Sequence, residues 1–275
     1  MLGALIGDYI GSQYEFNSSN AKNYYKSKEE FPLFTRLNSF TDDSFMTTAV
    51  AESLLNTNLD VVDYDSLKKI VVNSMVKWFR AYPDAGYGGY FFSWLQDNDR
   101  KPYGSYGNGA AMRISPVGWV ARNEEEVKAL SRAVTEISHN HPEGIKGAEA
   151  VAMCIFLARN GYTKEQIKER VIKDYYPNVD KYDYKELVKN YRMDETCQNS
   201  VPQAIYCFLS SNNFEECLRK SIYIGGDSDT IAAISCSIAE AFYKEIPANI
   251  ADTVIKMMPK KMYSVLLSFK TELTK

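Results

Sequence analysis

The sequence predicts an all-α fold, and three observations carry that expectation. Apolar residues recur at helical spacing through most of the chain, alternating strand patterns with turn dipeptides are scarce, and small residues crowd one late helical segment. Residues 43–55 place Phe45, Met46, Ala49, Val50, Ser53 and Leu54 along one side, and residues 66–80 do the same with Ile70, Val71, Met75, Trp78 and Phe79. The same spacing predicts helices over 124–137, 146–159, 164–173, 184–192, 201–209, 214–222, 229–243, 250–258 and 263–271. The helix over 229–243 carries Ala232, Ala233, Ser235, Ser237, Ala239 and Ala241. Side chains that small let neighbouring helices approach closely, so this helix is expected at the centre of the core.

Other stretches resist the helical pattern. Residues 17–38 are polar, aromatic and lysine-rich, and read as a surface excursion. Residues 82–89 and 101–109 are glycine- and tyrosine-rich loops, and 174–184 is a connector rich in tyrosine and aspartate. Glycine-rich loops between helices are common ligand-binding segments.

The 275 residues, 45% of them hydrophobic, suffice for one large core, so residues 1–275 are read as a single domain and a self-sufficient monomer. Net charge is −3, with 32 Lys+Arg against 35 Asp+Glu, which argues against general nucleic-acid binding. The five cysteines, Cys154, Cys197, Cys207, Cys217 and Cys236, form no C-x-x-C pair and are odd in number. Cys154 and Cys236 fall in apolar helical patterns as small core residues, and a reducing cytoplasm fits this usage. The apolar opening Met1 to Gly7 has no basic flank and is interrupted by Asp8, too short for a signal peptide or a membrane span.

Two short acidic clusters, far apart in the chain, carry the chemistry. One is Thr41-Asp42-Asp43 and the other Gly225-Gly226-Asp227-Ser228-Asp229-Thr230. Each sits where a loop enters a predicted helix. Positions two apart on a helix point roughly 200° from each other, so Asp227 and Asp229 face one site only if Asp227 lies outside the helix. The glycine pair permits that, with Asp229 and Thr230 in the first helical turn. Four carboxylates brought together repel unless a cation sits among them. All-oxygen ligands point to Mg²⁺, Mn²⁺ or Ca²⁺ rather than zinc or copper, and with His139 and His141 the only histidines a multi-histidine site is impossible. Thr and Asp are also ordinary N-caps, so either cluster alone is explained by capping.

Residues 103–113, Tyr103 to Arg113, expose backbone N–H groups that could cradle phosphate oxygens, and Tyr106 offers a stacking face. The plainer reading is a glycine-rich turn before a helix with Arg113 paired to a carboxylate. Ser138-His139-Asn140-His141 precedes a further helix; a loop histidine is most often structural, but beside an acidic metal centre it could orient substrate or a ligand.

Taken in order, these motifs resemble the ADP-ribosylglycohydrolase family, which includes the dinitrogenase reductase-activating glycohydrolase. Gly3-Ala4-Leu5-Ile6-Gly7-Asp8 with Gly11 and Glu15 is similar to the family's first segment, and Thr41-Asp42-Asp43 to its first metal motif. Gly86-Tyr87-Gly88-Gly89 resembles the loop beside the substrate, Gly107-Asn108-Gly109-Ala110-Ala111-Met112-Arg113 the central signature, Ser138-His139 with Gly147 the histidine segment, and residues 225–230 the second metal motif. Ser44 and Ser228 stand where threonines are common, without removing a ligand, and 17–38 matches nothing in the pattern.

The resemblance implies a compact orthogonal multi-helix bundle holding two Mg²⁺ ions, with Mn²⁺ as the alternative. It implies Thr41, Asp42, Asp43, Asp227, Asp229 and Thr230 as metal ligands, and Glu15 as a carboxylate at metal or water. It puts Gly88 and Gly107 in loops beside the substrate, Ser105 and Asn108 at phosphates or ribose, Tyr106 on adenine and His139 by the distal ribose. The implied activity is hydrolysis of the N- or O-glycosidic bond of ADP-ribose on a protein or small-molecule acceptor, with Glu15 or a ligand aspartate such as Asp43 or Asp227 as base. Two other classes stay open: a non-catalytic ADP-ribose binder or structural protein, and a metal-dependent pyrophosphohydrolase. Free ADP-ribose or AMP as product separates glycoside from pyrophosphate cleavage.

Overall fold

In the computed structural model, which describes residues 1–274, the chain begins with a helix that the periodicity did not predict. This helix, α1 (Leu2–Gly11), is followed by α2 (Asp42–Leu55), α3 (Tyr64–Ala81), α4 (Gly89–Gln96), α5 (Gly109–Met112), α6 (Ser115–Val120), α7 (Glu124–Thr135) and α8 (Pro142–Arg159). The second half contains α9 (Lys164–Asp174), α10 (Tyr184–Asn190), α11 (Cys197–Leu209), α12 (Phe214–Tyr223), α13 (Ser228–Tyr243), α14 (Ala248–Met257) and α15 (Lys260–Glu272). Among the described residues there is no strand, only an isolated bridge between Gly107 and Thr196. The all-α expectation therefore stands.

Polar side chains set the helix starts. Asn123, Asp183 and Asn213 each accept the backbone N–H three residues on, and Thr163 forms a reciprocal capping box with Gln166. The predicted helices fall where expected, with ends moved by a few residues. The largest shifts are α8, which starts at Pro142, and α11, which starts at Cys197. Proline is well suited to the first turn of α8, where its missing N–H has no partner to lose.

Helix α13 occupies the centre: Ser228 to Ala239 are buried without exception. Helices α1, α8, α11 and α12 pack on it, α2 lies against α1, and α3 and α15 cover α2 from outside. Residues Gly3, Gly7 and Gly11 form a bare stripe on α1. A β-carbon on Gly7 would sit 2.3 Å from the carbonyl carbon and oxygen of Ala232, and one on Gly11 2.5 Å from the α-carbon of Asp229. Glycine weakens an isolated helix, which is why α1 reads poorly as a helix; its stability comes from this backbone-to-backbone contact. The buried apolar residues form one cluster from Met1 to Phe269, and all five cysteines are free and buried within it.

The 17–38 excursion has only one short 3₁₀ turn, Ala21–Asn23, yet it is pinned down. Phe31 is buried and stacks on Tyr223, and Lys22 Nζ donates to the carbonyls of Tyr191 and Ile224 at 2.7 and 2.6 Å. No helix among the described residues is long and apolar enough to cross a membrane.

Filling the α1–α13 contact is expected to unfold the protein more readily. Gly7→Ala forces a methyl group into backbone that cannot rotate away, a cost of about 3 kcal/mol. The thermal midpoint measured by circular dichroism should fall by roughly 5–10 °C. Gly88→Ala, where a β-carbon meets no atom within 4 Å, is the matched control and should leave it nearly unchanged.

Candidate active site

The two acidic clusters converge at the floor of one cleft. Its volume is about 640 Å³, and Glu15, Asp42, Asp43, Asp227, Asp229 and Thr230 all line it. Glu15, Asp227 and Asp229 each offer a carboxylate oxygen within 4.8 Å of the others. Across the clusters, Thr230 Oγ1 donates to Asp43 Oδ2 at 3.1 Å.

Local backbone geometry produces this convergence. Gly225 and Gly226 adopt φ of +76° and +75°, the left-handed region that glycine enters without penalty. Asp227 follows as the N-cap of α13 with φ −77° and ψ 73°, outside the helix, and its side chain makes no capping bond. Its Oδ2 instead accepts from Asn108 Nδ2 at 2.6 Å. Asp229 and Thr230 lie in the first helical turn, as the sequence geometry required. At α2 the capping reading holds for Thr41, whose hydroxyl accepts the Asp43 N–H at 3.3 Å.

The scaffold beneath the first cluster is Asp8, which sequence reasoning did not place among the site residues. Wholly buried on α1, it accepts from the N–H of Thr41 at 3.0 Å, the N–H of Ser44 at 3.1 Å and the Thr41 hydroxyl at 2.6 Å. The signal was a lone carboxylate inside an apolar segment, a costly burial unless its oxygens are occupied. Thr41 is consequently engaged on both sides and does not line the cleft; its oxygen keeps one lone pair.

Electrostatics show how strongly the carboxyls of the floor act on one another. Burial, followed by the neighbouring charges of Asp8 and other acidic groups, holds Asp42 and Asp43 well above the usual carboxylate range. Burial and then Asp227 and Asp43 do the same to Asp229. Glu15 is pushed up to about 7 by burial and then by Asp227, Asp8 and Glu195. Asp43 Oδ1 is buried without any hydrogen-bond partner. A buried carboxylate oxygen with no donor, among like charges, is the pattern a hard divalent cation satisfies, so these residues fit one.

The walls come from the glycine-rich loops. Gly88, Ser105, Tyr106, Gly107, Asn108 and His139 all line the cleft. Ser105 Oγ accepts from the Gly107 N–H at 3.2 Å, and Tyr106, half exposed, meets His141 edge-on with ring centroids 5.1 Å apart. Asn108 also has a structural part beside the phosphate or ribose contact the resemblance implied. Both hydrogens of its amide are engaged, by Asp227 and by Ser200 at 3.2 Å, so it holds a carboxylate, leaving its carbonyl oxygen for a ligand. Tyr90, Phe91, Tyr103, Met112, Met193, Glu195 and Thr196 complete the lining. Tyr103 and Met112 belong to the 103–113 motif, whereas Tyr90, Phe91, Met193, Glu195 and Thr196 lie in segments whose pattern carries no signal for a site.

Arg113 does not pair with a carboxylate. It is fully buried, its guanidinium lies 5.2 Å from the centroid of Phe91, and Nη2 donates to Ser138 Oγ at 2.9 Å. Ser138 Oγ is in turn 2.8 Å from His139 Nδ1. Because Ser138 is buried and accepts from Arg113, its own hydrogen has only Nδ1 to go to. His139 Nδ1 is then an acceptor and Nε2 carries the hydrogen, beside Gly107 and Gly109 at the cleft wall. Burial, and then the Arg113 charge, hold His139 well below the ordinary imidazole pKa. It therefore remains a neutral donor.

With the geometry in place, comparison with known proteins adds identity. A family model described as ADP-ribosylglycohydrolase matches residues 1–268, and the chain belongs to that family of glycosidic hydrolases. ADP-ribosylhydrolase ARH3 of Mus musculus is 26% identical, over 90% of this chain and 84% of its own. ADP-ribosylarginine hydrolase Tri1 of Pseudomonas putida (strain GB-1) is 23% identical, over 88% of this chain and 69% of its own. A solved chain from an ADP-ribosylglycohydrolase-related protein complex superposes with a TM-score of 0.69 at 22% identity, covering 98% of this chain and 95% of its own, which shows the shared fold.

Two outcomes follow from the buried supports. Asp8→Asn puts an amide N–H₂ against donors and should weaken Mg²⁺ binding, read by isothermal titration, about 10- to 100-fold. For His139, ¹⁵N NMR should report the neutral Nε2–H tautomer at pH values where an exposed histidine is half protonated. Since the unfolded chain takes up that proton and the folded chain does not, this residue lowers stability as pH falls through the ordinary imidazole pKa. Ser138→Ala should abolish the tautomer preference; an unchanged ¹⁵N spectrum would refute the chain of donors.

Proposed function

We propose that this chain hydrolyses the glycosidic bond between the anomeric carbon of ADP-ribose and an acceptor group, releasing free ADP-ribose. The observation that carries the reading is the meeting of Asp42, Asp43, Asp227 and Asp229 with Glu15 under a glycine-rich wall in one cleft. Family membership and relatives named as ADP-ribosylhydrolases support the same chemistry.

Thr41, Asp42, Asp43, Asp227, Asp229 and Thr230 would hold two Mg²⁺ ions, or Mn²⁺ in their place. Bound there, the ions supply charge that fixes the ribose hydroxyls and acidifies a water. The protein's own groups do the remainder. Glu15, with its carboxyl near 7 and half buried at the cleft floor, is suited to take a proton from the attacking water as the new C–O bond forms and to pass it to the acceptor group that leaves. The transition state at the anomeric carbon is electron-poor, and the surrounding carboxylates stabilise it without rearranging, because Asn108 and Thr230 already hold two of them. His139 Nε2–H offers a fixed donor to an oxygen of the bound sugar or phosphate. Gly107 and Gly109 line the same volume, but the N–H groups of Gly107, Asn108 and Ala110 are already taken by Ser105 Oγ and the carbonyls of Glu195 and Gly107, so this loop shapes the wall rather than cradling an anion with those amides.

The test is turnover of an ADP-ribosylated protein with Mg²⁺, products separated by chromatography and identified by mass. Free ADP-ribose should accumulate. Asp42→Ala and Asp227→Ala should reduce the rate to background, and Glu15→Gln should lower kcat about 10²- to 10⁴-fold. Release of AMP in place of ADP-ribose would refute the glycosidic reading, and near-normal activity of Asp227→Ala would refute the metal assignment.

A further inference from the structure

Beside the cleft lies a second cavity of about 520 Å³, formed by Asn17, Asn20, Lys22, Val188, Lys189 and Arg192 with Asn23 at its edge. No carboxylate lines it, although the chain is net acidic at −3. Two of its three cations are held by backbone carbonyls. Lys22 Nζ donates to Tyr191 and Ile224, and Arg192 Nη1 to the carbonyls of Lys189 and Tyr191 at 2.9 and 2.8 Å. These bonds tie down the last carbonyls of α10 and α12, a reason for the cations to sit there. They do not neutralise them. Among the described residues no carboxylate pairs with Lys22, Lys189 or Arg192, and burial followed by the Arg192 charge pulls Lys22 down to about 8. The third N–H of Lys22, the Lys189 ammonium, and Nε and Nη2 of Arg192 remain as donors. That set, with Lys22 and Arg192 held in place, Lys189 exposed beside them and no counter-charge, is what an oxyanion needs.

Position gives the cavity its meaning. Asn17 lies two residues beyond Glu15, at most about 7 Å along the chain, and Arg192 immediately precedes Met193. Glu15 and Met193 both line the catalytic cleft. The two cavities are joined by the Met193 N–H bond to Asn17 Oδ1 at 3.0 Å and by a reciprocal pair in which Asn20 Nδ2 donates to the Gly226 carbonyl at 3.2 Å and its Oδ1 accepts the Gly226 N–H at 2.9 Å. An acceptor leaving past Glu15 would emerge over this groove. No aromatic ring lines it to stack a base, which, with the acidic net charge, favours a protein acceptor over a nucleic-acid strand.

We propose that the Lys22–Lys189–Arg192 groove is an acceptor subsite that binds an oxyanionic side chain, phosphoryl or carboxylate, next to the ADP-ribosylated residue of a protein substrate. This assignment to the acceptor rests on the hydrolase reading above, whereas anion binding by the groove does not. Two measurements keep them apart. In EDTA, inorganic pyrophosphate titrated into ¹⁵N-labelled protein should shift the amides of Asn17, Lys22, Lys189 and Arg192. The affinity should fall about tenfold or more in Lys189→Gln/Arg192→Gln, and also as salt is raised. Shifts confined to residues 105–109, or an unaffected double variant, would overturn the site whatever the enzyme hydrolyses.

The second measurement compares kcat/KM for ADP-ribosylated peptides flanked by phosphoserine, glutamate or glutamine. The acidic peptides should be preferred, the phosphoserine-to-glutamate ratio identifies which oxyanion fits, and the preference should vanish in the double variant while the glutamine peptide is cleaved as before. Equal turnover of all three by the unaltered protein, or preference for an oligonucleotide acceptor, would overturn the protein-acceptor assignment. Turnover of none would sink the hydrolase reading and with it the acceptor role, leaving the pyrophosphate titration to decide the groove.

Discussion

The site depends on two helices touching through their backbones. With Gly3, Gly7 and Gly11 facing α13, α1 approaches Ala232, Cys236 and Asp229 with no side chain between. That approach places two groups at once. Asp8, on α1, comes under the start of α2, where it fixes Thr41 and Ser44. Glu15, just beyond the end of α1, comes beside Asp227 and Asp229. A wider spacing would separate the two acidic clusters whatever their own sequences. The cleft is therefore a consequence of helix packing, and the glycines that make α1 a poor isolated helix are the residues that make the site.

Holding many carboxylates together needs supports as well as proximity. Each cluster has one. Asp8 takes three donors from the first turn of α2, which keeps its charge buried and leaves Asp42 and Asp43 turned to the cleft. Asn108 commits both amide hydrogens to Asp227 and Ser200, and Thr230 bridges to Asp43. Even so, the carboxyls titrate high and Asp43 Oδ1 has no partner. The supports orient the carboxylates without neutralising them, which is the condition under which a bound cation contributes most.

Much of this was legible in the sequence, for a physical reason. Acidic residues at helix starts, with glycines immediately before one of them, restrict the backbone to few shapes, so the roles of Asp227, Asp229 and Thr230 in the turn could be worked out from helix geometry. Most helices were legible too, because their cores are periodic. What escaped depends on long-range contact. Helix α1 was hidden because local propensity counts glycine against it. The bond from Asn108 to Asp227 was not visible, because its partner lies far along the chain. Arg113 suggested a carboxylate partner, yet it meets Phe91 and Ser138. Glu195, Lys22 and Arg192 lie outside the long helices, where no periodicity reports which side chains meet, and the periodicity of α10 does not show that Lys189 joins them.

The contrast between the two cavities bears on how the enzyme handles charge. The floor of the cleft is acidic and repels anions unless cations are present, so on the proposed reading binding of the ADP-ribose pyrophosphate is tied to loading of the floor. The groove beyond Asn17 and Met193 has the opposite sign without any ion. A substrate with charge on both sides of the scissile bond thus meets two fields of different origin, one conditional on metal and one permanent. Two of the three cations that carry the permanent field are braced on helix-end carbonyls, so it costs no carboxylate and does not discharge the acidic floor nearby. On the proposed reading, such a field beside Glu15 orients an acceptor before the floor is loaded, and the Asn17–Met193 and Asn20–Gly226 bonds hold the two sites in one frame.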